Sequence, residues 1–474
     1  MSRQSRGADP ASNSHSRRVV IWIAALAGAV LLLLLLRPSH LSDTTRVERS
    51  AAAPTSGSRT NLSRFTRVSF IHRSPGATNG AAEALVARKL KGFVNRRAEL
   101  SESIAQKQGT AIPPEVERFF RLAREGRWVE ALEVYAKLYN GKREGDGLPD
   151  PTPYRQAILE TVGAYESTRD WPAQALLDYG SAVLGTLPPG SIYFGGTDSG
   201  RFIPTLLNDD AGSSGSIILT QNALADQSYI EYLGLLYPGR LGDLGTDDVQ
   251  KAFGEYAADA AARWNHDQQH PDEPKQVRPG EQIQIGEDGR HSFGGNVSVM
   301  DINERILQKL IAKNPGVPVY LEESFPFQNA YRQATANGPL LQLSGQDSGA
   351  EAAAASPESV AQTIDQWRNT TAQLLTDSET AGSQEVRSAY SKLLMAQAGI
   401  FEKGSMADAA EQAFRLAQEL TPDNPETAFR YVNFLSQQRR QAEAIPWLET
   451  VVQRNPDNSG LRDLLEQLRT MPKK

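Results

Sequence analysis

The chain has 474 residues, of which 39% are hydrophobic and 22% charged, and a formal net charge of -6 at pH 7. This length accommodates about three domains of typical size, and the negative balance argues against a general nucleic-acid binder. The chain contains no cysteine, which excludes disulfide bonds, thiolate zinc sites, iron–sulfur clusters and cysteine nucleophiles.

The first predicted element is an apolar helix over residues 19–36, VVIWIAALAGAVLLLLLL, which carries no charged side chain. Its helical length of roughly 27 Å is close to the ~30 Å hydrocarbon core of a bilayer. The preceding segment, residues 1–18, is basic and predicts a cytoplasmic N-terminus. We therefore expect a single-pass membrane anchor, with the bulk of the chain outside the cytoplasm.

Two alternatives to the anchor stay open, a cleaved secretory signal and a buried helix of a soluble domain. The apolar run is longer than the apolar core that is usual in a secretory signal. No small-residue cleavage site follows the run before Arg37. A cleaved signal would also place the remaining chain outside the cytoplasm.

Residues 37–111 combine a stalk with a segment that is hard to assign. Residues 38–62 are rich in Ser, Thr, Ala and Pro, which is typical of a flexible linker. Ala82–Val94 has the spacing of a helix, and the remainder could be loop.

Residues 112–188 predict two helical pairs that resemble degenerate helical repeats. The four helices are predicted over Pro114–Glu125, Val129–Asn140, Tyr154–Tyr165 and Pro172–Leu184. Gly126 separates the first pair, and Arg169–Asp170 the second. Apolar residues within each pair follow a small–large–small order.

Residues 189–344 alternate short apolar runs with helical patterns, which predicts an α/β module with a mainly parallel sheet. The predicted strands are Ser191–Phe194, Ser216–Thr220, Val317–Leu321 and Leu340–Leu343. The predicted helices are Arg201–Asn208, Asp226–Leu236, Asp247–Trp264 and Asp301–Lys313. A polar loop over residues 265–280 and a hairpin of Gln282–Ile285 with His291–Phe293 complete the module.

Polar residues follow three of the predicted strands, where ligands of α/β sheets usually bind. The candidate ligand-binding residues are Gly195, Gly196, Thr197, Asp198, Arg201, Asn222, Asp226 and Glu322. Backbone N–H groups of the glycines, together with Arg201, would suit a phosphate or carboxylate. The carboxylates would instead suit a hard cation or acid–base chemistry.

The same residues are also those that form turns and helix caps, so a purely structural role stays open. Gly195-Gly196 does not form a dinucleotide-binding motif, and no phosphate-loop lysine follows it. His266 and His270 have the spacing of metal ligands on a helix, but Pro271 and the polar surroundings favour a solvated loop. We predict no catalytic residue, no metal and no cofactor.

The last block, residues 358–474, follows a low-complexity linker over residues 345–357 and repeats itself at a period of about 34 residues. Pro422 recurs as Pro456 and Ala410 as Ala444, with the same offset in both cases. Helices are predicted over Ser388–Glu402, Ala407–Leu420, Pro425–Gln437, Gln441–Arg454 and Ser459–Thr470. The last helix carries its leucines on one side and would cap the stack.

This spacing resembles the tetratricopeptide-repeat family, well over residues 391–470 and loosely over 113–187. The packing positions of the family pattern are matched by Ala410, Phe414, Ala417, Pro422, Ala444, Leu448, Val451 and Pro456. The first helices depart from the pattern, with Leu394, Gln397 and Ala398 where Trp, Leu and Gly are common. The resemblance implies stacked helical hairpins with a groove for a protein partner; an ordinary helical bundle is the alternative.

The central module has a second, looser resemblance. Gly196-Thr-Asp198 followed by Phe202 and Pro204, and the later run Pro318–Glu322, resemble the soluble C-terminal region of bacterial multi-span glycosyltransferase-like membrane proteins, related to protein O-mannosyltransferases. This chain lacks their many membrane spans, which house the transferase site. The resemblance therefore implies a shared accessory module and does not carry over the activity.

Together these features predict a mainly α protein with a central α/β module, helical repeats on both sides of a small sheet, and one N-terminal transmembrane helix. The expected role is a membrane-anchored scaffold or assembly factor of the cell envelope that binds protein partners through the repeat groove. The alternative is an enzyme or small-ligand receptor that uses the strand-end residues, for example in glycan metabolism. Convergence of Asp198, Arg201, Asn222, Asp226 and Glu322 in one concave site would favour that alternative.

Overall fold

The computed structural model describes residues 69–71, 79–140, 154–209, 215–285, 291–322, 327, 329–330, 334–343 and 356–470. The described chain is mainly helical, with one five-stranded mixed sheet and one two-stranded hairpin. The predicted anchor at residues 19–36, most of the stalk and nearly all of the linker lie outside the described residues. None of the described helices is both long and apolar enough to cross a bilayer.

Among the described residues, five helices precede the sheet. They are α1 (Asn79–Gln108), α2 (Pro114–Arg124), α3 (Trp128–Asn140), α4 (Arg155–Asp170) and α5 (Ala173–Leu184). The second pair breaks at Trp171–Pro172 rather than at Arg169–Asp170, because proline disfavours the helical conformation of the residue before it. Trp171 is accordingly extended, with φ -108° and ψ 138°.

Helix α1 is much longer than the predicted Ala82–Val94, because a buried ion-pair network holds its second half. Arg97 is 2% exposed and donates from Nε to Glu160 at 2.6 Å and from Nη1 to Asp209 at 2.7 Å. The hydroxyl of Tyr232 donates to the same Glu160 carboxylate at 2.6 Å. The network joins α1 to α4 and to the central module, and a buried charge of this kind is tolerated only when it is paired.

The strands of the five-stranded sheet are β1 (Ile192–Gly195), β2 (Ile217–Thr220), β5 (Val319–Leu321), β6 (Ala334–Asn337) and β7 (Leu340–Leu343). Their order across the sheet is β2-β1-β5-β7-β6. β2, β1 and β5 are parallel, whereas β7 is antiparallel to β5 and β6 to β7. The sheet is therefore mixed, not mainly parallel as expected. Strand β6 was not predicted, because its sequence ATAN contains no apolar run.

Four helices accompany these strands, namely α6 (Asp198–Asn208), α7 (Gln227–Leu236), α8 (Thr246–Gln269) and α9 (Asn296–Lys313). The predicted hairpin is present as β3 (Gln282–Ile285) and β4 (His291–Gly294), paired antiparallel. Helix α8 continues past Trp264 into the predicted polar loop. The Asp267 carboxylate in this extension accepts the backbone N–H groups of Gln276 and Val277 at 2.7 and 3.0 Å, which folds the following loop back on the helix.

The sheet separates two hydrophobic cores, since alternate strand residues point to opposite faces. Ile192, Phe194 and Leu219 face a core shared with α2, α3 and α7–α9. Tyr193 and Ile218 face the other core, which contains α5, α6 and the C-terminal helices. Both faces of the sheet are thereby covered by helices.

The C-terminal block contains seven helices within the described residues. They are α10 (Pro357–Thr376), α11 (Ser378–Gly382), α12 (Gln384–Lys403), α13 (Ala407–Leu420), α14 (Pro425–Gln437), α15 (Gln441–Arg454) and α16 (Ser459–Thr470). The bounds of α13–α16 are those predicted from the sequence. α12 begins about one turn earlier than the predicted Ser388, and α10 and α11 were not predicted.

Local geometry in this block recurs with the offset of the sequence repeat. Ser405 and Arg439, which are equivalent positions in that repeat, both have φ of 59°. The next residue in each turn donates its N–H five residues back, from Met406 to Phe401 and from Arg440 to Leu435, both at 2.8 Å. Ala410 and Ala444 are both 0% exposed. The two helix pairs α12/α13 and α14/α15 are thus joined by the same turn and bury the same small residue.

We predict that Ala444→Asp lowers the free energy of unfolding by about 3–5 kcal/mol, because it buries an unpaired charge. Ala442→Asp is the matched control, since Ala442 is exposed in the first turn of the same helix and a carboxylate there is tolerated. Denaturant unfolding of the purified chain measures both. Equal losses in the two variants would contradict the packing described here.

Candidate functional site

The carboxyl ends of β1 and β5 form the point where the chain direction across the sheet reverses. From β1 the chain passes through α6 to β2 on one side, and it returns through α7–α9 to β5 on the other side of β1. Ile203 of α6 lies in one core and Ile306 of α9 in the other. A crevice at such a reversal is the usual ligand position in open α/β sheets.

In this protein the crevice is filled by the side chain of Glu322, which follows β5 and is 0% exposed. Its Oε2 accepts the backbone N–H groups of Gly196 and Thr197, both at 2.8 Å. Its Oε1 accepts the hydroxyl of Thr197 and, at 3.2 Å, that of Tyr179. The carboxylate therefore occupies the position at the N-terminus of α6 where an external anion would bind.

Two glycines make this approach possible. A Cβ on Gly200 would overlap the Glu322 carboxylate, and a Cβ on Gly195 would overlap the backbone of Gly200 and Arg201. The turn is closed further by Thr197, whose Oγ1 accepts the N–H of Gly200 at 2.9 Å, and by Tyr193, whose hydroxyl donates to the Gly200 carbonyl at 2.8 Å. The helix start is thus built around the carboxylate.

Burial raises the pKa of Glu322 above its usual range, although the hydrogen bonds from Thr197 and Gly196 act in the opposite direction. Burial likewise raises the pKa of Tyr179 and Tyr193 well above that of a solvated tyrosine, and the nearby Glu322 adds to the effect. Both phenols therefore stay protonated at neutral pH and act as hydrogen-bond donors.

The other predicted site residues have separate local roles. Asp198 pairs with Arg201 at 2.7 Å on the outer side of α6, where the Asp198 side chain is 83% exposed. The Arg201 guanidinium also lies over the Phe202 ring at 4.2 Å. Asp226 caps α7 by accepting the N–H of Ser228 at 2.9 Å. Asn222 lies in the short 3-10 turn after β2. Of the predicted residues, only Gly195, Gly196, Thr197 and Glu322 meet at the crevice.

Sequence reasoning misses Tyr179, which fits a helix-packing position but whose hydroxyl donates a hydrogen bond to Glu322.

Sequence reasoning also misses a polar centre at Glu281, whose carboxylate accepts hydrogen bonds from the Tyr256 hydroxyl at 2.7 Å and from Arg278 at 3.0 Å. Burial opposes ionisation of Glu281, but these hydrogen bonds outweigh it and lower its pKa to about 2. Glu281 lines an open groove of about 380 Å³ together with Trp264. No sequence motif marks this groove.

The two histidines considered as metal ligands lie near one carboxylate. His266 Nε2 is 3.2 Å from Glu273 Oε2, and His270 Nδ1 is 3.5 Å from Glu273 Oε1. Over the described ranges, no group of three or more His, Asp or Glu side chains has the arrangement of a metal site.

No family model, no curated protein and no solved structure matches the chain. The two resemblances noted from the sequence stay predictions.

We predict that Gly200→Ala destabilises the fold by about 1–3 kcal/mol, because the added methyl group overpacks the Glu322 contact. In most helices the same change stabilises by up to ~1 kcal/mol. Gly254→Ala in α8 is the matched control, since a Cβ there meets no atom within 4 Å. Denaturant titration compares the two, and a stabilising effect of Gly200→Ala would show that the carboxylate does not occupy the crevice.

The raised pKa of Glu322 predicts a pH dependence of known sign. The folded state holds the proton more tightly than the unfolded state, so this contribution is fully present below the unfolded pKa of about 4.3 and is lost as pH rises through the folded pKa. Glu322→Gln mimics the protonated acid at all pH values. We expect the stability of the natural chain relative to this variant to fall as pH rises above about 4.3; a relative stability that rises with pH would contradict the assignment.

Proposed function

We propose that the protein is a membrane-anchored helical-repeat scaffold that binds a protein partner in the cell envelope. The observation that carries this proposal is the recurring hairpin geometry of α12–α15, in which the same turn and the same buried alanine return in successive helix pairs. Stacked hairpins of this kind expose long surfaces that bind other proteins. The sequence resemblance to tetratricopeptide repeats supports the same interpretation.

The accessible part of the groove is proposed to lie on α14, because the sheet covers the corresponding face of α12. Met395 and Ala396 of α12 are 1% and 3% exposed. The equivalent residues of the next repeat, Phe429 and Arg430, are only half-buried, as is Asn433 one turn further on. Gln397 of α12 donates to the Gly338 carbonyl in the β6–β7 turn at 2.6 Å, which fixes the sheet against this helix.

The strand-end crevice favours a structural role over ligand binding or catalysis. Its carboxylate is fully buried and engaged by four donors from the same chain. Asp198 and Arg201, the charged candidates nearest in sequence to the turn, pair with each other outside it. A reacting group must reach a substrate, and Glu322 is sealed from solvent. We therefore propose a structural role for this cluster.

We predict that Asn433→Arg weakens partner binding by tenfold or more, an effect of about 1.4 kcal/mol, because it places a long charged side chain on the accessible face of α14. Gln453→Arg on the exposed side of α15 is the matched control. Quantitative mass spectrometry of material co-purified from solubilised membranes measures the difference. If no protein is recovered in an Asn433-dependent manner, the proposed groove is wrong.

The anchor has its own test. We expect the intact chain to resist alkaline carbonate extraction from membranes, and a chain lacking residues 19–36 to be released, because the apolar helix predicted there would have a length of ~27 Å, close to that of a bilayer core. A mature protein that begins after residue 36 would support the cleaved signal instead.

A further inference from the structure

The segment Ser69–Ile71 comes just before α1 in sequence, yet it docks on α10, the first helix of the C-terminal block. The Ser69 hydroxyl lies 3.0 Å from the Thr370 hydroxyl and donates to Gln373 Oε1 at 3.0 Å. The N–H of Phe70 donates to Thr370 Oγ1 at 3.1 Å. These contacts join residues 300 or more positions apart.

Apolar contacts complete the docking. The Phe70 ring meets the Trp367 ring edge-on, with centroids 4.8 Å apart and planes at 68°. Ile71 is 7% exposed and lies in the core that contains the C-terminal helices. Aromatic pairs in this geometry are favourable beyond the area they bury. One short segment thus presents a hydroxyl, an aromatic ring and an aliphatic side chain in order.

Hydrogen bonds on the side away from Phe70 fix the α10 surface on which the segment docks. Trp367 is fully buried, and its Nε1 donates to Gln397 Oε1 at 2.7 Å. Gln397 in turn donates to the Gly338 carbonyl at 2.6 Å. The ring that contacts Phe70 therefore has a fixed orientation, and a preorganised surface binds a peptide at lower entropic cost.

We propose that the α10 surface around Trp367 and Thr370 is a recognition site for a short peptide of hydroxyl–aromatic–aliphatic order, and that Ser69–Ile71 occupies it reversibly within the same chain. The contacts support this assignment, because the side chains of Thr370 and Gln373 on α10 bind both the Ser69 hydroxyl and the backbone N–H of Phe70. In combination with the proposed anchor, on which this consequence rests, the docked segment ties the C-terminal helices to the membrane-proximal chain.

Engineered cross-linking tests the site in the full-length protein. The chain has no cysteine, so Ser69→Cys with Thr370→Cys introduces the only two thiols. We expect rapid oxidation by added copper phenanthroline to an intramolecular disulfide, seen on a non-reducing gel as a monomer that migrates faster than the reduced chain. Ser69→Cys with Gln362→Cys is the matched control. Gln362 is exposed on the same helix, and its Cα lies roughly 12 Å from that of Thr370 along the helix axis.

Reversible recognition predicts two further effects. Phe70→Ala in the first cysteine pair should slow cross-linking by about tenfold, equivalent to the loss of ~1.4 kcal/mol of docking free energy. A millimolar peptide of sequence RVSFIHR, residues 67–73, should slow it several-fold, whereas a peptide of shuffled order should not. Thermal melts of the variants check that each is folded.

Two outcomes would contradict the proposal. A cross-linking rate unchanged by Phe70→Ala and by the peptide would make the segment a fixed part of the fold. A disulfide between two copies would show exchange between chains instead of docking within one. None of these cross-linking measurements depends on the membrane anchor. A negative result here would contradict the peptide site alone, whereas release by carbonate extraction would contradict the anchor.

Discussion

The contact between Glu322 and the start of α6 is the constraint on which the central module depends. It joins β5 to the β1–α6 turn, and through Tyr179 it reaches α5. A buried carboxylate is costly unless donors surround it, and here two backbone N–H groups and two hydroxyls do so. Removing any of these donors would leave part of the carboxylate unsatisfied at the carboxyl ends of β1 and β5. The crevice that many α/β proteins keep open is used here to hold the layers together.

The same contact explains why the C-terminal helices can rest on the sheet. Tyr179 and Tyr193 belong to the core that also contains α12 and α13, and their hydroxyls are satisfied by Glu322 and by the α6 turn. The hydroxyl groups of both tyrosines are therefore hydrogen-bonded inside the core against which the C-terminal block packs. On the far side, Gln397 links Trp367 to the β6–β7 turn. The sheet and the helical hairpins therefore form one continuous packing unit around this core.

Local signals in the sequence were sufficient for part of the fold. Asn424 and Pro425 mark the start of α14, and the structure shows Asn424 accepting the N–H of Glu426 at 2.8 Å. The bounds of α13–α16 follow from such caps and from the period of the repeat. Helix α10 carries a comparable start at Ser356–Pro357, but the alanine-rich stretch before it obscured the signal. The sequence of strand β6 contains no such local signal, because its strand conformation depends on pairing with β7.

Long-range contacts were beyond prediction. The presence of Glu322 at a strand end was visible, but its burial depends on meeting Thr197, 125 residues away. The extension of α1 depends in the same way on Glu160 and Asp209, which pair with Arg97. A single sequence shows which residues are polar, whereas the partner that makes their burial tolerable is set by the tertiary fold.

The docking of Ser69 on Thr370, 301 positions later, has a consequence for folding order. During synthesis Ser69–Ile71 emerges long before α10 has been synthesised. The segment therefore lacks its native contacts while the centre of the chain folds. Loop closure over such a distance is slow, and domains in general fold as units from the N-terminal side. In this protein Ser69–Ile71 should be among the last residues to reach their native positions.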